Sequence, residues 1–118
     1  MFNLNRFMKI QITPELIDKY CDIIGDNNPI HDPDNTIKYG QPVAPGILVT
    51  ALITRNPKPY WALGKLNVRY HDAVYVGDTI EITHKTIKER KSVVVNEVYI
   101  HVGDSLKQTI EMTTVKII

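Results

Sequence analysis

Two kinds of periodicity divide this chain. Its first half carries apolar residues at helical spacing, and its second half alternates like a sheet. Near the N-terminus Phe7, Lys9 and Gln11 alternate with Met8, Ile10 and Ile12, which predicts a strand over residues 6–13. Thr13-Pro14-Glu15 then reads as a helix start, with Thr as N-cap, Pro at the first helical position and an acid in the first turn. Leu16, Ile17, Tyr20, Ile23 and Ile24 follow at helical spacing, and Gly25 ends the helix. Residues 25–30 are polar and turn-rich, and Asp32-Pro33 is expected to open a second short helix that Gly40 closes. Pro45-Gly46 precedes the apolar run 47–53, which Asn56-Pro57 closes. At a rise of about 1.5 Å per residue this third helix is roughly 15 Å long. It is apolar nearly all round and is therefore expected to be buried.

The second half predicts strands. Leu66, Val68 and Tyr70 alternate with Lys65, Asn67 and Arg69, and Gly77-Asp78 turns the chain. Residues 79–88 alternate again with Ile80 and Ile82 on one face, and Glu89-Arg90-Lys91 reads as a polar turn. Residues 93–102 form a long strand, Gly103-Asp104 is a two-residue hairpin signal, and 106–118 pairs back. The pattern is that of an α+β fold in which an antiparallel sheet wraps around one buried helix. One helix covers the sheet incompletely, so a second copy is expected to cover the rest.

Composition narrows the possibilities. The 118 residues suit one domain over positions 1–118. Sixteen Ile, eleven Val and ten Thr, together close to a third of the chain, lean towards strands. Hydrophobic residues make up 43% and the net charge is +1, which argues against disorder and against a nucleic-acid partner. Cys21 is the single cysteine, so neither an internal disulfide nor a C-x-x-C zinc ribbon is possible. The longest uncharged stretch, 39–54, holds Pro42, Pro45 and two glycines and is too short and broken to span a bilayer. With no signal-peptide pattern at the start, a cytoplasmic location and no membrane partner are expected.

The candidate chemistry lies in Gly25-Asp26-Asn27-Asn28-Pro29-Ile30-His31-Asp32. Asp26 and His31 stand five positions apart in a stretch stiffened by Pro29, and a carboxylate beside an imidazole makes a general acid/base pair. The helix beginning at Gly46 offers backbone N–H groups that can polarise a carbonyl. The same polar run also suits plain turn chemistry, with Asp26 capping and His31 filling a gap. His31, Asp32 and Asp34 match no common metal spacing, and Asp32 is better placed as an N-cap.

Tyr20–His31 (Y-C-D-I-I-G-D-N-N-P-I-H), followed by Y-G-Q-P-V-A-P-G-I-L-V, resembles the MaoC-like dehydratases and (R)-specific enoyl-CoA hydratases of the hot-dog fold. Gly25, Asp26, Asn28, Pro29, Ile30 and His31 match that family's G-D-x-N-P-[LIV]-H signature in full. Val74-Tyr75-Val76-Gly77-Asp78-Thr79 is similar to its V-x-V-G-D-T turn, which hot-dog proteins of several activities share. The resemblance implies a lyase that interconverts trans-2-enoyl and (R)-3-hydroxyacyl thioesters by adding or removing water. It implies Asp26 and His31 as the catalytic pair, Gly46 N–H as donor to the thioester oxygen, Asn28 as the residue that orients the pair, and Thr54 as a hydroxyl lining the substrate. Coenzyme A or an acyl carrier protein would enter as part of the substrate, no metal or other cofactor is implied, and a homodimer or a dimer of dimers is expected. A thioesterase on the same fold, and a non-catalytic acyl-thioester-binding protein, are the alternatives.

The chain departs from the family at three points. Pro45 stands where the family places a His, and Ile24 and Ile37 replace small residues, which bears on acyl-chain length. Other residues take ordinary readings. Cys21 is a small core or boundary residue, and His71, His84 and His101 are surface or packing residues. Trp61 anchors a loop, and Lys58, Lys65, Arg69 and Arg90 form a solvated face.

Overall fold

The computed structural model describes residues 5–32 and 41–118. Strand β1 (Asn5–Gln11) leads into helix α1 (Pro14–Ile24) through the cap that the sequence announces. Thr13 is extended, and its hydroxyl accepts from the Leu16 N–H at 3.2 Å. At the other end Gly25 takes a left-handed conformation, φ 79°. Its N–H and that of Asp26 both donate to the Cys21 carbonyl, at 2.8 and 2.9 Å. Helix α1 turns Ile17 fully inward, with Leu16, Tyr20 and Cys21 packed at the edge of the core.

A single 3₁₀ turn, Pro29–His31, follows. The expected helix from Asp32-Pro33 to Gly40, and Ile37 with it, lies outside the described residues. Helix α2 (Gly46–Ala51) continues as a 3₁₀ turn, Leu52–Thr54, so the apolar run is helical but changes its winding partway. Its burial is one-sided, contrary to the expectation from its composition. Leu48, Val49, Leu52 and Ile53 are buried, whereas Ile47 is 67% exposed.

The remaining strands are β2 (Trp61–Tyr70), β3 (Thr79–Arg90), β4 (Val93–Val102) and β5 (Ser105–Lys116). They join β1 in one antiparallel sheet of order β1-β3-β4-β5-β2. One detail corrects the sequence reading, and two others place residues that it singled out. Strand β3 runs through Glu89 and Arg90, so the turn falls on Lys91 and Ser92. Trp61 is the first residue of β2, paired with Lys116, directly after the 57–60 loop, and its N–H donates to the Lys58 carbonyl at 3.2 Å. His84 is fully buried on β3, as a packing residue, opposite Val98 of β4.

Register sorts the core into rows on the face that α2 covers. Met8 pairs with Ile82, Ile82 with Ile100, Ile100 with Gln108, and Gln108 with Tyr70. Ile80, Val98, Ile110 and Met112 lie in flanking rows. The cover fails at the β2 edge, where Leu63, Leu66 and Tyr70 are exposed. Among the described residues, no helix is long and apolar enough to cross a membrane.

The left-handed cap fixes where α1 stops and Asp26 begins. A Cβ at residue 25 meets nothing within 4 Å, so only the backbone resists a side chain there. A non-glycine residue in this region costs roughly 1–2 kcal/mol. Gly25→Ala is therefore expected to lower the urea midpoint by a corresponding amount, and Gly25→Asn by less, because Asn tolerates this region better.

Candidate active site

The polar run between α1 and α2 folds back on itself. Asp26 Oδ1 accepts from the Asn28 N–H at 3.0 Å, and Asn28 Oδ1 accepts from the Ile30 N–H at 3.3 Å, capping the 3₁₀ turn. This is the turn chemistry the sequence allows, and it leaves Asp26 Oδ2 facing outward from the turn. That oxygen lies 3.4 Å from His31 Nε2. The turn reading and the acid/base reading are thus both satisfied, by different oxygens of one carboxylate. Asn28 is brought to the pair through its backbone N–H, and its side chain serves the turn.

The other imidazole nitrogen is held just as firmly. His31 Nδ1 lies 2.5 Å from the Val43 carbonyl. A carbonyl only accepts, so Nδ1 carries the proton. In the neutral ring Nε2 then presents its lone pair to the Asp26 carboxylate. Two acceptors facing each other at this distance are satisfied by a hydrogen between them, whether on the ring or on a water that donates to both. The Val43 N–H donates in turn to the Ile30 carbonyl at 2.7 Å.

Gly46 opens α2 three residues after Val43. The intervening chain is fixed by Ala44 N–H to Val74 O at 2.7 Å, by Val76 N–H to Pro42 O at 3.1 Å and by the Val43–Tyr75 bridge. Residue 46 must be small for a reason absent from the sequence reading, since a Cβ there would lie 3.0 Å from Tyr70 Cε1. Beside it is a cavity of about 300 Å³ lined by Gly46, Tyr70, His71, Asp72, Val74 and Gln108, among others. Burial, then the charge of Asp26, with smaller contributions from Cys21 and Tyr70, push the Tyr20 phenol above the ordinary tyrosine value.

The other candidates fall elsewhere. Thr54 is exposed at the far end of the helix from Gly46, and its hydroxyl donates to the Ala51 carbonyl at 2.7 Å. Burial, followed by Asp26 and Asp18, raises the Cys21 thiol, consistent with a packing residue. His71 bonds Thr109 Oγ1 at 2.8 Å on the exposed surface. Among the described residues no cluster of His, Cys, Asp or Glu is arranged to hold a metal ion. Three contributors escaped the sequence reading: the Val43 carbonyl, Tyr70 and Gln108. A backbone acceptor has no residue signature, and the other two sit in alternating strands that read as sheet alone.

No family model matches this chain, and no curated protein matches it. Solved structures do. The (R)-hydratase PhaJ1 from Pseudomonas aeruginosa superimposes with a TM-score of 0.84 at 17% identity, over 98% of this chain and 81% of that one. The (R)-hydratase from A. caviae involved in PHA biosynthesis gives 0.83 at 17% identity, over 98% and 97%. The HadBC 3R-hydroxyacyl-ACP dehydratase complex from Mycobacterium tuberculosis gives 0.71 at 15% identity, over 94% and 96%. This chain has the hot-dog fold. Identities this low speak for the fold alone, and the hot-dog neighbours are of the MaoC-like kind that the Gly25–His31 motif resembles.

The Val43 contact fixes the ring's tautomer, which is directly measurable. Nitrogen-15 shifts of His31 are expected to show Nδ1 protonated. Asp26→Asn, which turns the facing acceptor into an amide, should leave Nδ1 protonated, since Val43 O does not change.

Proposed function

We propose that this protein is a hydratase/dehydratase acting on 2-enoyl and 3-hydroxyacyl thioesters. The observation that carries the reading is the pair of facing acceptors, Asp26 Oδ2 and His31 Nε2, 3.4 Å apart with the ring locked from behind by Val43 O. A water that donates one hydrogen to each is held with its own lone pairs free to attack. As the water oxygen bonds to the β-carbon of the enoyl thioester, one member of the pair takes its proton. The C=C electrons move onto the thioester oxygen, where Gly46 N–H receives the charge. Collapse of that enolate draws the same proton from that member onto the α-carbon, which returns both groups to their starting state. The net change is one water added across one double bond, and it calls only on acid/base and backbone groups. The MaoC-like motif and the hydratase and dehydratase neighbours support this reading.

Pro45 is compatible with it. Proline lacks its own N–H, and that of Gly46 is untouched. We further infer a homodimer, or a dimer of dimers, acting in the cytoplasm. Its support is the apolar margin of Leu63, Leu66 and Tyr70 on the edge strand β2, together with exposed Ile47, since a contiguous patch of this kind is uncommon on monomers.

Two measurements test the proposal. Hydration of crotonyl-CoA and longer enoyl-CoAs, followed in the ultraviolet, should show turnover. Asp26→Asn and His31→Gln should each lower it by about 10²–10⁴, the usual worth of general acid/base help. The double variant should be little worse than either, because paired groups act as a unit. Free-thiol release in place of hydration would make the protein a thioesterase, and binding without either would make it an accessory protein. Sedimentation should give at least a dimer at micromolar concentration, and an active monomer would contradict the assembly.

A further inference from the structure

The helix-facing row that crosses the sheet is apolar through Met8, Ile82 and Ile100, then turns polar at Gln108 and Tyr70. Gln108 is 2% exposed and Thr50, above it on α2, is 3% exposed. An aliphatic pair would fill that space without a polar atom to satisfy, so the polarity requires an account. The hydrogen bonds supply one. Thr50 Oγ1 lies 2.6 Å from Gln108 Oε1, 3.0 Å from Gly46 O and 3.3 Å from Tyr70 Oη. Gln108 Nε2 lies 3.1 Å from Gly46 O.

A hydroxyl has one proton, so Thr50 shares it between Gln108 Oε1 at 2.6 Å and Gly46 O at 3.0 Å, Tyr70 is left to donate to Thr50, and Gln108 Nε2 donates to Gly46 O. The result is a one-way relay, Tyr70 to Thr50 to Gln108 to the carbonyl of Gly46. The same tyrosine presses its ring against the Cα of residue 46, where a Cβ would stand 3.0 Å from Cε1. Tyr70 and Gln108 are direct cross-strand partners. One rung of the sheet thus grips a single residue of the helix, by its carbonyl and by its Cα.

We propose that Tyr70, Thr50 and Gln108 are positioning residues that hold the first peptides of α2 in register with Asp26 and His31. Their role in this proposal is exerted through the backbone of Gly46. The inference rests on the hydratase reading, in which Gly46 N–H receives the charge of the thioester oxygen. Displacement of such a donor by about 1 Å is enough to cost on the order of 10²-fold in rate.

The test compares wild type with Thr50→Val, Thr50→Ser, Gln108→Leu and Tyr70→Phe, using steady-state hydration of crotonyl-CoA and the amide spectrum of nitrogen-15-labelled protein. Thr50→Val and Gln108→Leu should lower kcat by roughly 10–100-fold, with KM changed less than about threefold, as expected of a group needed mainly in the transition state. Thr50→Ser, which keeps the hydroxyl, should recover turnover to within about threefold of wild type. In parallel the Gly46 and Ile47 amide peaks should move in Thr50→Val and return in Thr50→Ser. Tyr70→Phe keeps the ring and removes the first donor, and it covers the case in which Gln108→Leu does not fold. Unmoved amide peaks, or a kcat that falls only with the folded fraction, overturn the proposal. If wild type hydrates no enoyl thioester the hydratase reading fails, and the amide peaks still decide whether the relay holds residue 46.

Discussion

The backbone of Val43 is where the parts of this molecule are tied together. Its carbonyl accepts from His31, its N–H donates to Ile30, and its neighbours Pro42 and Ala44 bond to the segment at 74–76. The catalytic imidazole of the proposed mechanism, the loop that carries it and the approach to α2 are therefore set by one short extended stretch. Those bonds are made by backbone atoms, so they depend directly on the path of the chain at 43.

From there the constraints pass to the sheet. Helix α2 is six residues long before it tightens, too short to be stable without tertiary support. Its Leu48 and Val49 enter the apolar face of the sheet, and its first residue is gripped by Tyr70 and Gln108. Apolar burial fixes how deep the helix lies but resists sliding weakly, because one methyl group substitutes for another. Directional bonds from Gln108 to a single carbonyl supply the register that apolar contact lacks.

What could be read from the residues followed from how local each cause is. The cap at Thr13, the stop at Gly25 and the hairpin at Gly103-Asp104 are decided within a few positions, and the structure has all three. Strand β4 matches its expected limits because alternation and turn signals agree at both ends. The turn after β3 was displaced because charged residues at 89–90 fit a turn and an exposed strand end equally well. The exposure of Ile47 was missed for another reason. Composition shows that a helix is apolar and is silent on how many sides have something to pack against. Proximity of Asp26 and His31 was legible from the motif, and their mutual orientation was not, since it comes from a carbonyl twelve positions away.

The same distinction bears on Pro45. A Ser, Thr or Asp at an N-cap folds its side chain back onto the first-turn N–H groups and satisfies them internally. Pro45 caps α2 with no such bond, at φ −58°, so the helix begins sharply with its own cap making no claim on those donors. Gly46 adds no Cβ, and Tyr70 bounds it on one side. In the proposed reaction such a start, uncapped by its own side chains and bordering a cavity of about 300 Å³, is suited to hold an oxygen that gains charge. Pro45, standing where the resembled family places a histidine, therefore leaves in place the donor on which the proposed chemistry draws.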